Sequence, residues 1–515
     1  MMHALVVLVH LFCLAAAQST TDPQNATVFS LTYGYPLLSW QNTYAPLVEK
    51  YGVNTWQHAR ELSTPANRTV VKPNVDTIYS QIVYDLSQSD VKITIPDAPA
   101  GYYKLFSLYD PYGDNWANVG TGGFYEPGNY LIRPSGTDDG SDVGLQVVNA
   151  TYVGYLTSPT LYGTLLVRWG LNATDADLVH QLQDDCASTT VARNDTSDVS
   201  APRLETLIDV YSATSSPAEN VMNLLARFAP PTAPAATLEA AGISNTTYSA
   251  PPSVNLTLAN TTALAAIVAE ASDRDNLDVL NNGWVELSPE PVGVYDTNYA
   301  LRALVAFTGY LALRTPFAFY PNWANSTTGA SNSLLTIGPD EAILFTFSGK
   351  PPLQPVGFWS LTAYDAAFFL IPNPVDVYAL GDRSNLTYPD GTLVYGSAAD
   401  DGRNGTFQIL LQPADVAPPA NWTSNWLPAP AGGGGVAAQF RVFGGEQMAL
   451  DGSYVYPQVT KISAVTGGNG ASSAGSSSSS ESGVSVYTGN AAANVPVGIA
   501  LATAYVILMA GAHLY

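Results

Sequence analysis

The chain has 515 residues, 46% of them hydrophobic and only 12% charged, with 42 acidic against 19 basic side chains and a formal net charge of -23. This length and apolar content allow two to three domains with full cores and exclude a disordered chain. The acidity excludes nucleic acid as a partner, because such binding needs a basic footprint.

Residues 5–14 are an apolar run too short to span a bilayer, followed by the small residues Ala15, Ala16 and Ala17, so residues 1–17 read as a secretory signal peptide. Twelve Asn-x-Ser/Thr sequons, at Asn25, Asn67, Asn149, Asn172, Asn194, Asn245, Asn255, Asn260, Asn325, Asn385, Asn404 and Asn421, predict a glycosylated surface. Cys13 leaves with the signal, so Cys186 has no internal disulfide partner and reads as a buried, inert thiol.

Residues 36–51 carry apolar positions at helical spacing, with Pro46 expected to break or kink the helix. Pro73-Asn74 is a turn signal, after which Ile78, Ile82 and Tyr84 alternate with Thr77, Tyr79, Gln81 and Val83, the pattern of a half-buried strand. Further strands are predicted at 91–95, 102–109, 129–133 and 143–152, while 160–169 fits either a strand or a buried helix. From Asn172 the period becomes helical. Thr174 to Asp177 and Ser216-Pro217-Ala218-Glu219 have capping-box spacing, and stretches 262–280 and 297–313 complete a helical region. Strand signals resume after Thr315. Residues 340–365 repeat a feature of 76–110, an acid before one strand and an aromatic-Ser-Leu…Tyr-Asp run ending a later one, as an internal duplication would. Residues 467–485 are Gly/Ser-rich, a flexible stalk, and 495–515 are uncharged and apolar with no basic residue after them. With the small residues Gly489, Asn490, Ala491 and Ala492 ahead of it, that tail reads as a GPI-anchor signal with attachment at Asn490, rather than a retained helix.

Two motif sets resemble known families. PNVDTIYS from Pro73, IPDA from Ile95 and YYKLFSLYDPYGDNWANVG from Tyr102 resemble domain-of-unknown-function family 1254. FWSLTAYD from Phe358, Asn373, the turn at Asp390, NWLPAP from Asn425 and Phe440-Arg441-Val442 resemble its usual C-terminal partner, family 1214, here in a secreted, fungal-type, GPI-anchored form. The resemblance spans 33–456 and implies two tandem β-sandwiches with an accompanying helical part, without implying an activity. The family pattern has an arginine just before Tyr103, where this chain has Tyr102.

No G-x-S-x-G, H-E-x-x-H, P-loop or dinucleotide fingerprint is present, and the processed chain would keep two histidines, His58 and His180. The acidic loop 138–142 reads as a solvated turn rather than a calcium site, and no metal or cofactor is expected. The polar groups of the motif regions remain. Asp76, Tyr79, Tyr103 and Asp110 are candidate catalytic residues, because paired carboxylates and tyrosines can move protons and bind sugar hydroxyls. Asn74, Trp56, His58, Trp359, Tyr364, Asn373 and Arg441 are candidate binding residues, Arg441 because a strand arginine in so poorly cationic a chain must pair with something. Each of these residues also has a plain structural use in turns and cores.

The sequence therefore predicts an α+β protein: a signal peptide (1–17), a first antiparallel, jelly-roll-like β-sandwich (33–170), a mainly helical region (171–315), a second sandwich (316–456), a stalk (457–490) and an anchor tail (491–515). It would sit on the outer face of the plasma membrane or in the cell wall, tethered by lipid. It would be an enzyme acting on carbohydrate or a small polar substrate, or else a non-catalytic wall or carbohydrate-binding protein using aromatic platforms.

Overall fold

The computed structural model describes residues 21–467, apart from 69–71, 137–141, 149, 172–175, 194–200, 209–214, 229–232, 245, 272, 288–291, 324–333 and 401. The signal peptide, the tail with Asn490, the sequons Asn149, Asn172, Asn194, Asn245 and Asn325, and nearly all of the acidic loop lie outside the described residues. Among those described, no helix is long and apolar enough to cross a membrane.

The protein is α+β, with both helices and multiple antiparallel sheets. Sheet I has the order β1 (Gln57–His58), β2 (Thr77–Asp85), β9 (Tyr162–Gly170), β4 (Lys104–Tyr109), β5 (Asn115–Gly120). Sheet II has the order β10 (Ala187–Val191), β3 (Asp90–Ile95), β6 (Gly128–Pro134), β8 (Gly154–Ser158), β7 (Gly144–Val147), with β6 and β8 parallel. The period-2 alternation on β2 sends Ile78, Ile82 and Tyr84 into a core shared with Val91, Ile93, Tyr130 and Ile132 of sheet II. A two-stranded hairpin follows, β11 (Ile243–Ser244) with β12 (Thr247–Tyr248).

Sheet III runs β13 (Leu277–Val279), β14 (Trp284–Leu287), β16 (Asn322–Trp323), β23 (Gly434–Gly445), β19 (Leu353–Asp365), β20 (Ala379–Gly381), with β15 (Ala318–Phe319) and β17 (Leu335–Ile337) also pairing β23. Sheet IV runs β22 (Trp426–Ala429), β21 (Phe407–Pro413), β18 (Glu341–Phe347), β24 (Gln458–Ser463). Trp284, Trp359, Phe440 and Val442 of sheet III meet Ile343, Phe345, Phe347, Ile409 and Leu411 of sheet IV in a second core.

The longer helices are α1 (Pro23–Gly34), α2 (Pro36–Tyr51), α3 (Ala176–Asp184), α4 (Pro217–Phe228), α5 (Leu256–Glu270) and α6 (Tyr299–Gly309). Helix α3 adds Val179 and Leu182 to the first core, and the other five form a layer on the outer face of sheet I. Asp22 caps α1 by accepting from the Asn25 amide at 2.9 Å, and Ser216 and Glu219 cap α4 reciprocally at 2.9 and 3.3 Å. Gly34 lets α1 approach α4, since a Cβ there would stand 2.9 Å from Val221 Cγ1. Leu37, Trp40, Leu224, Leu225, Leu304 and Phe307 of this layer pack with Val83, Leu105 and Tyr109 from the outer face of sheet I.

Several expectations change. Helix α2 runs through Pro46 without ending. Strand β10 joins sheet II, so the first sheet pair extends past residue 170, and β13 and β14 carry part of the segment read as helical into sheet III. Strand β24 turns the start of the expected stalk into an edge of sheet IV. The duplication also fails. Strands β2 and β4 both flank β9 in one sheet, whereas β18 and β19 lie in different sheets. What the two stretches share is turn chemistry: Asp110 Oδ1 accepts from the amides of Tyr112 and Asp114 at 2.9 and 3.0 Å, and Asp365 Oδ1 accepts from those of Ala367 and Phe369 at 2.9 and 3.0 Å.

Candidate polar site between the two sheet pairs

Alternation and register assemble the site. On the outer face of sheet I, Tyr79 of β2 sits beside Arg168 of β9, Arg168 beside Leu105 of β4, and Thr164 beside Tyr109. Sheet III turns Phe358, Ser360, Thr362 and Tyr364 of β19 toward this face, paired with Phe443, Arg441, Gln439 and Ala437 of β23. The Tyr103 ring closes the seam, edge-on to Phe358 at 4.8 Å and to Phe443 at 6.0 Å between centroids.

At one end Asp76 ties the two sheet pairs together. Its Oδ1 accepts from Arg383 Nη2 at 2.8 Å, its Oδ2 from Ser360 Oγ at 2.6 Å, and its backbone carbonyl from Arg383 Nη1 at 3.0 Å. Asn74 Oδ1 fixes the turn by accepting from the Asp76 amide at 2.6 Å. Tyr364 donates to the Pro73 carbonyl at 2.8 Å, and Arg441 donates to Thr362 Oγ1 at 2.9 Å and to the Lys72 carbonyl at 3.0 Å. Beside these groups is a cavity of about 10 Å³, room for one water, lined by Lys72, Asn322, Phe368 and Gln439 among others. Burial, reinforced by Arg441, lowers the Lys72 ammonium to about 8.

Deeper in the seam Arg168 is 5% exposed. Its Nη1 reaches Ser107 Oγ at 3.5 Å and its guanidinium lies 5.8 Å from the Tyr79 ring centre. Its electrostatic neighbours are Tyr109, Tyr79, Tyr320 and Tyr103, with no carboxylate among them. The Tyr103 hydroxyl is buried there without a hydrogen-bond partner, and that of Tyr109 lies against Arg168 and Ser107. Burial raises both phenols, against the pull of Arg168.

The candidate residues thus divide among several places. Tyr79 and Tyr103 share the Arg168 cluster, while Asp76, Asn74, Tyr364 and Arg441 form the adjoining knot. Asp110 is absent from both. It sits in a second polar joint, where Asp114 pairs with Arg302 at 3.1 Å and the Arg302 guanidinium is ringed by Tyr33, Tyr112 and Tyr299. Burial and Asp114 push the Asp110 carboxyl up. Trp56 and His58 stack on each other, and His58 meets Ser80 at 2.8 Å on the opposite face of sheet I, so neither approaches Tyr103. Trp359 is wholly buried in the second core, its Nε1 donating to Tyr395 Oη at 2.9 Å. Asn373 clamps its own loop, donating to the carbonyls of Ile371 and Val377 at 3.0 Å. Tyr102, in the place of the family arginine, faces the first core and donates to the Gly170 carbonyl. The cation beside Tyr103 is Arg168. Arg168, Arg383 and Tyr320 escaped the sequence reading, although the logic that singled out Arg441, a lone cation in an apolar strand, applies equally to Arg168 in YGTLLVRWG.

Cys186 is half-buried, its Sγ 3.4 Å from the Leu182 carbonyl, and burial pushes its thiol up to about 12, as expected of an inert thiol.

Residues 53–190 match the family described as protein of unknown function DUF1254, and residues 328–447 match that described as protein of unknown function DUF1214. No curated protein matches the chain. Among solved structures, the VPA0106 protein from Vibrio parahaemolyticus is 16% identical with a TM-score of 0.57, covering 86% of this chain and all (100%) of its own. An uncharacterized protein from Burkholderia cenocepacia aligns over 88% of this chain and 94% of its own at 11% identity, with a TM-score of 0.39. The first of these shares the fold, and the chain itself carries, in order, a DUF1254 domain and a DUF1214 domain.

Proposed function

We propose that this is a secreted, N-glycosylated, GPI-anchored cell-surface protein whose two sheet pairs, which we read as tandem jelly-roll-like sandwiches, bind a small polar molecule in the seam between them. The observation that carries the ligand reading is the partnerless Tyr103 hydroxyl beside a buried arginine whose neighbours are tyrosines and no carboxylate. A buried polar group without a partner costs about 1–3 kcal/mol, so the hydroxyl and the guanidinium side by side are best explained by a molecule that satisfies both. The surface reading is supported by the sequons, since Asn25, Asn67, Asn255, Asn385, Asn404 and Asn421 are all exposed. The alternative, a binder with flat aromatic platforms, has less behind it: among the described residues the exposed aromatic side chain is that of Tyr51. Carboxylate-pair hydrolysis also lacks support, because Asp76 and Asp110 occupy separate clusters and Asp76 is engaged by Arg383.

The test uses full-length protein secreted from a eukaryotic host. Peptide N-glycosidase should lower its apparent mass, and phosphatidylinositol-specific phospholipase C should release it from cells. A thermal-shift screen with saccharides and small carboxylates should give at least one ligand whose shift is lost in Tyr103→Phe. A ligand shift unchanged in that variant would refute the seam as the site.

A further inference from the structure

The seam is positively charged in a strongly acidic protein, and this identifies the chemistry of its occupant. Arg168, Arg441 and Arg383 all lie in it, with Lys72 at its edge, against the carboxylates of Asp76 and Asp382. Asp76 is occupied by Arg383 and Ser360, and Asp382 accepts from the Trp359 amide at 2.7 Å. The N–H groups of Arg441 go to the Thr362 hydroxyl and the Lys72 carbonyl. Among the described residues, Arg168 alone of the three guanidiniums has neither a carboxylate nor a carbonyl, only the hydroxyls of Ser107, at 3.5 Å, and Tyr109. Uncompensated, such a buried cation is strongly unfavourable.

Resting on the seam as ligand site, we infer that its ligand carries a single carboxylate, held by the Arg168 guanidinium with the Tyr103 and Tyr109 hydroxyls as further donors. The planar fork of a guanidinium matches the two oxygens of a carboxylate, and both phenols remain protonated because burial raises them. One cation and two neutral donors balance one negative charge. A dianion such as phosphate would call on Arg441, whose Nη1 and Nη2 already donate to Thr362 and to the Lys72 carbonyl. The rings of Phe358 and Phe443 against Tyr103 give the rest of the ligand an apolar wall.

The test is isothermal titration calorimetry on the full secreted glycoprotein in a low-anion buffer, with sodium acetate, its neutral isostere acetamide, and inorganic phosphate. Acetate should bind at least tenfold more tightly than acetamide or phosphate, and Arg168→Gln should weaken acetate at least tenfold without lowering the melting temperature, since it removes an unpaired buried charge. Equal binding of acetate and acetamide, tighter binding of phosphate, or unchanged acetate affinity in Arg168→Gln would overturn the inference. If Arg168→Gln does not fold, Tyr103→Phe decides, because that hydroxyl has no hydrogen-bond partner in the protein; acetate affinity unchanged in it overturns the inference. Neutral saccharides binding in a Tyr103-dependent way while acetate does not would remove the carboxylate and leave the seam reading standing. No ligand of either kind would remove both.

Discussion

The Asp76–Arg383 contact is the most direct test of how the two sheet pairs are held together. Asp76 is 9% exposed and the Arg383 side chain 22%, and they meet at 2.8 Å, with Ser360 donating to the second oxygen at 2.6 Å. Breaking a fully buried pair costs about 3–5 kcal/mol, and an exposed one about 0.2–1 kcal/mol. The partial exposure of Arg383 places this pair between those limits. Asp76→Ala also removes the charge-assisted bond from Ser360 and leaves the Arg383 guanidinium 3.9 Å over the Phe358 ring without its counter-charge, so a loss of about 3 kcal/mol is expected. Arg383→Ala should cost about 2 kcal/mol, and the double variant should recover about 1.5 kcal/mol relative to the sum. The assay is equilibrium urea unfolding of the wild type and the three variants at pH 7. A coupling energy below about 0.5 kcal/mol would show that the contact does not join the sheet pairs energetically, and that Asp76 is free for another role.

Three further outcomes are expected. Asp110 has its carboxyl raised by burial and by Asp114, so its protonated form contributes stability that is present at acid pH and lost as pH rises toward neutrality; Asp110→Asn, whose Oδ1 can still accept from Tyr112 and Asp114, should flatten that loss in urea midpoints measured at pH 5 and pH 8, and an unchanged pH slope would refute the assignment. His58 is lowered to about 4 by burial and Arg60, so the wild type should lose stability as pH falls from about 6.5 toward 4, and His58→Gln should reduce that loss in the same measurement. Phe443→Ala, which removes a fully buried ring stacked on Phe358 at 4.6 Å and touching Tyr103, should destabilise by about 3–5 kcal/mol in urea unfolding; a loss below about 1 kcal/mol would mean that the seam collapses around the gap.

Local pattern determined many of the elements, though it left 160–169 open and read β13 and β14 as part of a helical region. The alternation from Thr77 to Val83 separated the two faces of β2 correctly, placing Tyr79 opposite Ile78 and Ile82, and the Ser216–Glu219 spacing marked the start of α4. The order of the two families was likewise legible, because their motifs are contiguous strings. Sheet membership was not. The runs ending in Asp110 and Asp365 look alike because each aspartate accepts amides two and four residues ahead, which is decided within the turn and is blind to which strand lies alongside. The site depended on that missing information. Tyr103 meets Arg168, 65 residues on, through the pairing of β4 with β9, and Asp76 meets Arg383 and Tyr103 meets Phe358, across 307 and 255 residues, only when the outer face of sheet I is laid against sheet III; Asp110, seven residues from Tyr103, is carried by the next turn into a different cluster.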